Sequence, residues 1–205
     1  MLAYEAGETG LDGLLVLAAD NPDAAGDFPR DAEEIAGSVL SGKPVRRLFL
    51  HQLGSSMTGE IVRAFDEGAS LVSYVGHGGI HLWADENVLD VGDVAGLAAQ
   101  PQQPVLLTMN CLNGYFHFPY FDSLSEELLK AEGRGAIAAF SPSGLSLNGP
   151  AHRFHQALLE ALFHQGHARL GDAVLEAQEK YAATGAFPEL LSIYHLLGDP
   201  ALLLR

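Results

Sequence analysis

The chain has 205 residues, 48% of them hydrophobic and 18% charged, with 23 glycines; this composition suits one packed α/β core and excludes a disordered or coiled-coil chain. Eleven basic against 26 acidic residues leave a net charge of −15, which argues against nucleic-acid and anionic-membrane partners. No apolar run reaches the roughly 18 residues of a membrane span, and the single cysteine, Cys111, excludes an internal disulfide framework and a multi-cysteine zinc cage.

The opening MLAYEAGETG has neither a basic start nor an apolar stretch, so no signal peptide is expected, and any targeting signal would lie upstream in a longer protein. Leu14 to Ala19 reads as a buried strand ending at Asp20. Residues 21–29 are turn-rich, and 30–40 read as a helix. Arg47 to Leu50 is a short strand, and Ser56 to Glu67 a helix stopped by Gly68. Leu71 to Val75 is the next strand, followed by Gly-His-Gly-Gly. Pro104 to Met109 is another, followed by Asn-Cys-Leu-Asn-Gly. Ser123 to Ala131 is a helix opened by a capping box of Ser123 with Glu126. Ala136 to Phe140 is a strand, and 151–164 and 169–182 are long helices. The end reads as a turn at Gly198-Asp199-Pro200 and then a last strand. Strands alternating with helices predict an α/β fold with a mostly parallel sheet, and residues 1–205 read as one domain.

His77 and Cys111 each sit just past an apolar strand, and the two strands read as consecutive along the chain. Ligand sites of parallel sheets lie beyond the carboxyl ends of the strands. The two side chains are therefore expected at one sheet edge. A cysteine beside a histidine can share its proton, and the thiolate is then a nucleophile whose leaving group the histidine protonates. Gly78, beside His77, can bring its amide up to help that of Cys111 hold an oxyanion. The alternatives are a small buried cysteine and a structural histidine in a glycine-rich turn.

The stretches SLVSYVGHGGIHLW, PVLLTMNCLNGYF, GAIAAFSPSG and YHLLGDPALLL together resemble the gingipain family of cysteine peptidases, of the caspase-like clan CD. The resemblance starts near Tyr4-Glu5 and covers the second, catalytic half of the gingipain catalytic region. It implies a caspase-like three-layer sandwich with helices on both faces of the sheet. It also implies a cysteine endopeptidase that works through a His77–Cys111 dyad and a thioester, with neighbouring domains in the same longer chain. It further implies secretion or a cell-surface setting in a bacterium. Asp20 resembles the acidic residue that orients the histidine ring; otherwise it is a turn aspartate. Trp83 resembles the tryptophan that walls the pocket for the residue before the scissile bond; otherwise it is core. Asp31, eleven residues after Asp20 in DNPDAAGDFPRD, resembles the aspartate that pairs with a substrate guanidinium; otherwise it serves the first turn of the helix.

Other functions compatible with the same pattern are a caspase-like regulatory domain of the CHAT type, a sortase-like transpeptidase that passes the acyl group to an amine, and a degenerate binding domain. No cofactor is called for. The acidic surface would suit calcium, although no EF-hand type loop is present. The histidine pairs 77/81, 152/155 and 164/167 invite a metal reading, but nothing in the sequence makes three ligands converge, so the helical pairs are expected on a solvated face. The expected partner is a protein or peptide substrate.

Overall fold

Apolar runs buried along their whole length build one main sheet with two covered faces in the computed structural model, which describes residues 10–100 and 102–204. Residues 1–9, with the supposed start of the resemblance near Tyr4-Glu5 and the stretch read for a signal peptide, lie outside the described residues. The strands are β1 (Leu15–Ala19), β2 (Val45–Phe49), β3 (Leu71–Val75), the two-residue β4 (Leu82–Trp83) and β5 (Leu89–Asp90), β6 (Val105–Met109), β7 (Ala138–Pro142) and β8 (Tyr194–Leu197). The main sheet runs β2-β1-β3-β6-β7-β8, parallel except for β8, which is antiparallel to β7. Strands β1, β3, β6 and β7 are buried along their whole length, the pattern of parallel strands covered on both sides.

The longer helices are α1 (Phe28–Gly37), α2 (Met57–Asp66), α3 (Leu124–Lys130), α4 (Asn148–His164) and α5 (Leu170–Ala183). Alternate strand residues point to opposite faces. Leu15, Leu17, Leu71, Val75 and Phe140 pack with α1, α4 and α5 through Ile35, Phe154 and Tyr181. Val16, Ala18, Val72 and Tyr74 pack with α2, α3 and the β4–β5 hairpin through Ile61, Leu128 and Trp83. Each large side chain so buried contributes about 1.5–3 kcal/mol. The result is the expected three-layer α/β sandwich. Edge strand β2 carries Arg46 and Arg47, whose charges discourage pairing with another chain.

Two sequence expectations shift, and one hairpin has no counterpart in the sequence reading. Helix α1 begins at Phe28 because the Asp27 side chain accepts from the Arg30 amide and Pro29 sits in the first turn. The last strand comes before the Gly198-Asp199-Pro200 turn, not after it, because Tyr194 is buried in the core and its strand completes the edge that β7 leaves open. After the turn the described residues make an isolated bridge, Leu203 with Arg169. The β4–β5 hairpin has strands too short to leave a periodic signal. The capping box of Ser123 and Glu126 forms as read.

Candidate active site

The register of the sheet places the two chemistry-bearing turns side by side. Ala19 is level with Val75, and Val75 is level with Met109. His77 and Cys111 are therefore each two residues beyond matched strand ends on neighbouring strands. The chain reverses its direction of growth at β1, with β2 on one side and β3 on the other, which opens a crevice at this same edge.

Each turn is held from below. The His77 amide donates to Asp20 Oδ2 at 3.0 Å, and the His77 carbonyl accepts from the Tyr74 hydroxyl at 2.8 Å and the Ala84 amide at 3.0 Å. At Gly76 a Cβ would meet Asp20 Cβ at 2.4 Å, so only glycine lets the chain pass. The cysteine turn is tied to the histidine turn by buried Asn113, whose Nδ2 donates to the carbonyls of Gly79 at 2.5 Å and Leu82 at 3.1 Å. Its Oδ1 accepts from Asn110 Nδ2 at 2.7 Å. Leu112, next to the cysteine, has φ of 63°, a left-handed conformation that costs a non-glycine residue about 1–3 kcal/mol and marks the turn as strained.

His77 and Cys111 line one cavity of about 40 Å³, with Ala25, Phe28, Met109 and Ala151 supplying apolar wall. The half-exposed His77 ring meets the Phe28 ring edge-on at 5.4 Å between centroids. Its Nε2 lies 2.8 Å from Asp23 Oδ2. That bond holds the imidazole pKa above its ordinary value, against the opposing effect of partial burial, and holds the Asp23 carboxyl below its own. The Cys111 thiol is partly buried, accepts from the Ser146 amide at 3.4 Å and lies 3.6 Å from the Ser146 carbonyl. Among the described residues no protein acceptor takes the amide hydrogen of Cys111 or of Gly78. The two turns touch closely, since a Cβ on Gly78 would sit 2.1 Å from Asn110 Nδ2 and 3.0 Å from the Cys111 carbonyl oxygen.

Asp20, read from the sequence as the carboxylate that orients the histidine ring, instead holds the histidine backbone. It is 3% exposed, and its two oxygens accept from the amides of His77 and Asn21. Burial raises its pKa, partly countered by those two amides. The ring is held by Asp23. That residue stood in the acidic segment after β1, but its spacing gave no sign that the turn at 21–27 folds back over His77.

Trp83 corrects a second expectation. It is 0% exposed, in the core under α2, stacked on Tyr74 at 4.4 Å with the rings parallel to within 1°, and it does not line the cavity. A ring with no exposed face cannot wall a substrate pocket. Asp31 is 5% exposed and also does not line the cavity; it accepts from Asn148 Nδ2 at 2.7 Å, and Asn148 is the residue that does. Asn148 and Ser146 carried no motif, because they arrive from a loop after β7 that is distant in sequence.

The helical histidine pairs do not share a solvated face. His155 is fully buried, with Nε2 2.8 Å from Ser73 Oγ, and burial pushes its pKa down to about 3. His164 Nε2 meets the Val39 carbonyl at 2.6 Å, and His167 pairs with Glu176. Asp31, Glu34 and His152 bring donor atoms within 4.8 Å of one another, but Asn148 and Gln156 already donate to the two carboxylates.

The model of peptidase family C25 matches residues 1–205 of the chain. The crystal structure of the Arg-specific cysteine proteinase gingipain R superposes with a TM-score of 0.81 at 21% identity, over 94% of this chain and 48% of that one. The complex of Porphyromonas gingivalis RgpB pro- and mature domains gives 0.80 at 20% identity, over 95% and 49%. The Saccharomyces cerevisiae separase–securin complex gives 0.60 at 14% identity, over 96% and 12%. The chain thus spans about half the length of the gingipain chains, and these likenesses are of fold. No curated protein sequence matches the chain.

Proposed function

The chain belongs to peptidase family C25, and from that premise we propose that it is a cysteine peptidase with Cys111 as nucleophile and His77 as its proton partner. The observation that carries this reading is that the two residues line one cavity at matched strand ends. His77 takes the thiol proton. The thiolate then attacks the carbonyl carbon of a peptide bond, and the oxyanion is held by the amides of Cys111 and Gly78. The imidazolium gives its proton to the amide nitrogen, the C–N bond breaks, and the amine leaves a thioester on Cys111. Water, deprotonated by His77, attacks that thioester and releases the acid and the thiol. Asp23 favours the imidazolium on which the leaving step depends, and Asp20 fixes the height of the ring through its backbone.

The substrate in this reading is a protein or peptide, and the setting is the bacterial surface or exterior. Among the described residues no helix is long and apolar enough to cross a membrane. The test is intact-mass analysis after a thiol-reactive peptide probe, with peptide hydrolysis followed in parallel. One adduct is expected, on Cys111, slowed at least a hundredfold by His77→Ala, and Cys111→Ala should abolish hydrolysis. Labelling of Cys111 no faster than a free thiol and indifferent to His77→Ala would remove the dyad.

A further inference from the structure

Asn148 bridges the cavity beside Cys111 and a buried carboxylate behind it. Its side chain lines the cavity, and its Nδ2 donates to Asp31 Oδ2 at 2.7 Å. Gly26 presses on the same amide from the turn before α1, where a Cβ would sit 2.2 Å from Asn148 Nδ2. The amide is thereby pinned from two sides. It cannot swing out without leaving Asp31, 5% exposed, with a buried oxygen unpaired. The cavity itself measures about 40 Å³, room for roughly three waters at 10–15 Å³ each. Phe28, Met109 and Ala151 supply apolar wall, and Asn110 and Ser146 add uncharged polar lining. A guanidinium or ammonium finds no carboxylate in this lining.

Resting on the peptidase reading above, we infer that Asn148 sets the specificity of this site: it limits the residue before the scissile bond to a small uncharged side chain, of the size of alanine, serine or threonine, and screens Asp31 from the substrate. Discrimination follows from shape and desolvation. A longer side chain must displace the pinned amide. A cationic one would lose its water against a wall that carries no carboxylate, because Asp31 is already bonded to Asn148.

The experiment uses a set of thiol-reactive peptide probes that differ only in the residue before the reactive carbonyl: Ala, Ser, Leu or Arg. Rates of Cys111 labelling are read by intact mass on the native chain and on Asn148→Ala, Asn148→Ser and Asn148→Ala with Asp31→Asn. The native chain is expected to react with the Ala and Ser probes at least tenfold faster than with Leu or Arg. Asn148→Ala should raise the Arg-to-Ala ratio at least tenfold by opening the way to Asp31, Asn148→Ser should raise it less, and adding Asp31→Asn should cancel the gain. A native preference for Arg or Leu, equal rates for all probes, or an unchanged ratio in both Asn148 variants would overturn the assignment of Asn148 while leaving the peptidase reading intact. Failure of every peptide probe on a chain whose Cys111 iodoacetamide still modifies would overturn both.

Discussion

Asp23 Oδ2 sits 2.8 Å from Nε2 of His77, so the ring is oriented by a residue on a loop and not by the buried aspartate at the strand end. The interaction favours the imidazolium. Asp23→Asn should therefore lower the midpoint of the His77 ring titration followed by NMR. The same pair stabilises the fold fully below the unfolded histidine pKa of about 6.5, and that contribution is lost as pH rises through the raised native value. Both side chains are nearly half exposed, at 41% and 45%, so the stability change is small and weakened by salt. An unmoved midpoint would show that Asp23 does not govern the ring.

Asp20 acts through the backbone, which separates it from the ring. Asp20→Asn keeps one acceptor oxygen but turns an NH₂ group toward one of the two amides it now serves. Stability should fall by about 1–3 kcal/mol, the cost of a buried group left without its partner. Activity should fall by one to two orders of magnitude, roughly 1.4–2.8 kcal/mol of barrier, because His77 loses its anchored height. The His77 titration midpoint should change less than in Asp23→Asn. Urea unfolding and a ring titration on both variants decide this, and a larger ring effect from Asp20 would reverse the two roles.

Trp83 should behave as core. Trp83→Phe keeps a ring against Tyr74 and removes an indole N–H that is buried without an acceptor among the described residues. Its cost should stay under about 1.5 kcal/mol, whereas Trp83→Ala should cost about 3–5 kcal/mol by opening a cavity. Neither should alter which peptide probes label Cys111. A changed preference in Trp83→Phe would return the residue to the substrate pocket.

His155 gives the fold a specific acid sensitivity. It is buried and neutral, with its pKa pushed down to about 3 in the native state, against about 6.5 when unfolded. The unfolded chain thus binds the proton first, and stability falls as pH drops below about 6.5, by up to roughly 1.4 kcal/mol per pH unit from this group. His155→Gln removes the titration while retaining a partner for Ser73. Urea unfolding of both proteins at pH 7 and pH 5 should show a smaller loss in the variant. Equal losses would mean that His155 is not the group being protonated.

Much of this could be read from the chain alone. Runs such as Leu71 to Val75 and Val105 to Met109 show full-length burial in their composition, and the Gly-His-Gly and Asn-Cys turns follow directly from their ends. Position after a parallel strand determines which sheet edge a residue reaches, so His77 and Cys111 were placed by local pattern. Local pattern also set the capping box of Ser123 and Glu126.

What the tertiary structure decided is everything that depends on contact between distant segments. Which of several aspartates in one acidic loop touches the ring rests on how residues 21–27 fold over the β3 turn, and no periodicity encodes that. Trp83 lies six residues after His77 yet points away from the site, because a short hairpin turns it under the sheet against Tyr74. Asn148 meets Asp31 across 117 positions of sequence, through the packing of α4 beside α1. Secondary structure and strand-end position are short-range properties fixed by neighbours in the chain. The identity of a hydrogen-bond partner is a long-range one, chosen only once the layers close and each buried polar atom must be satisfied.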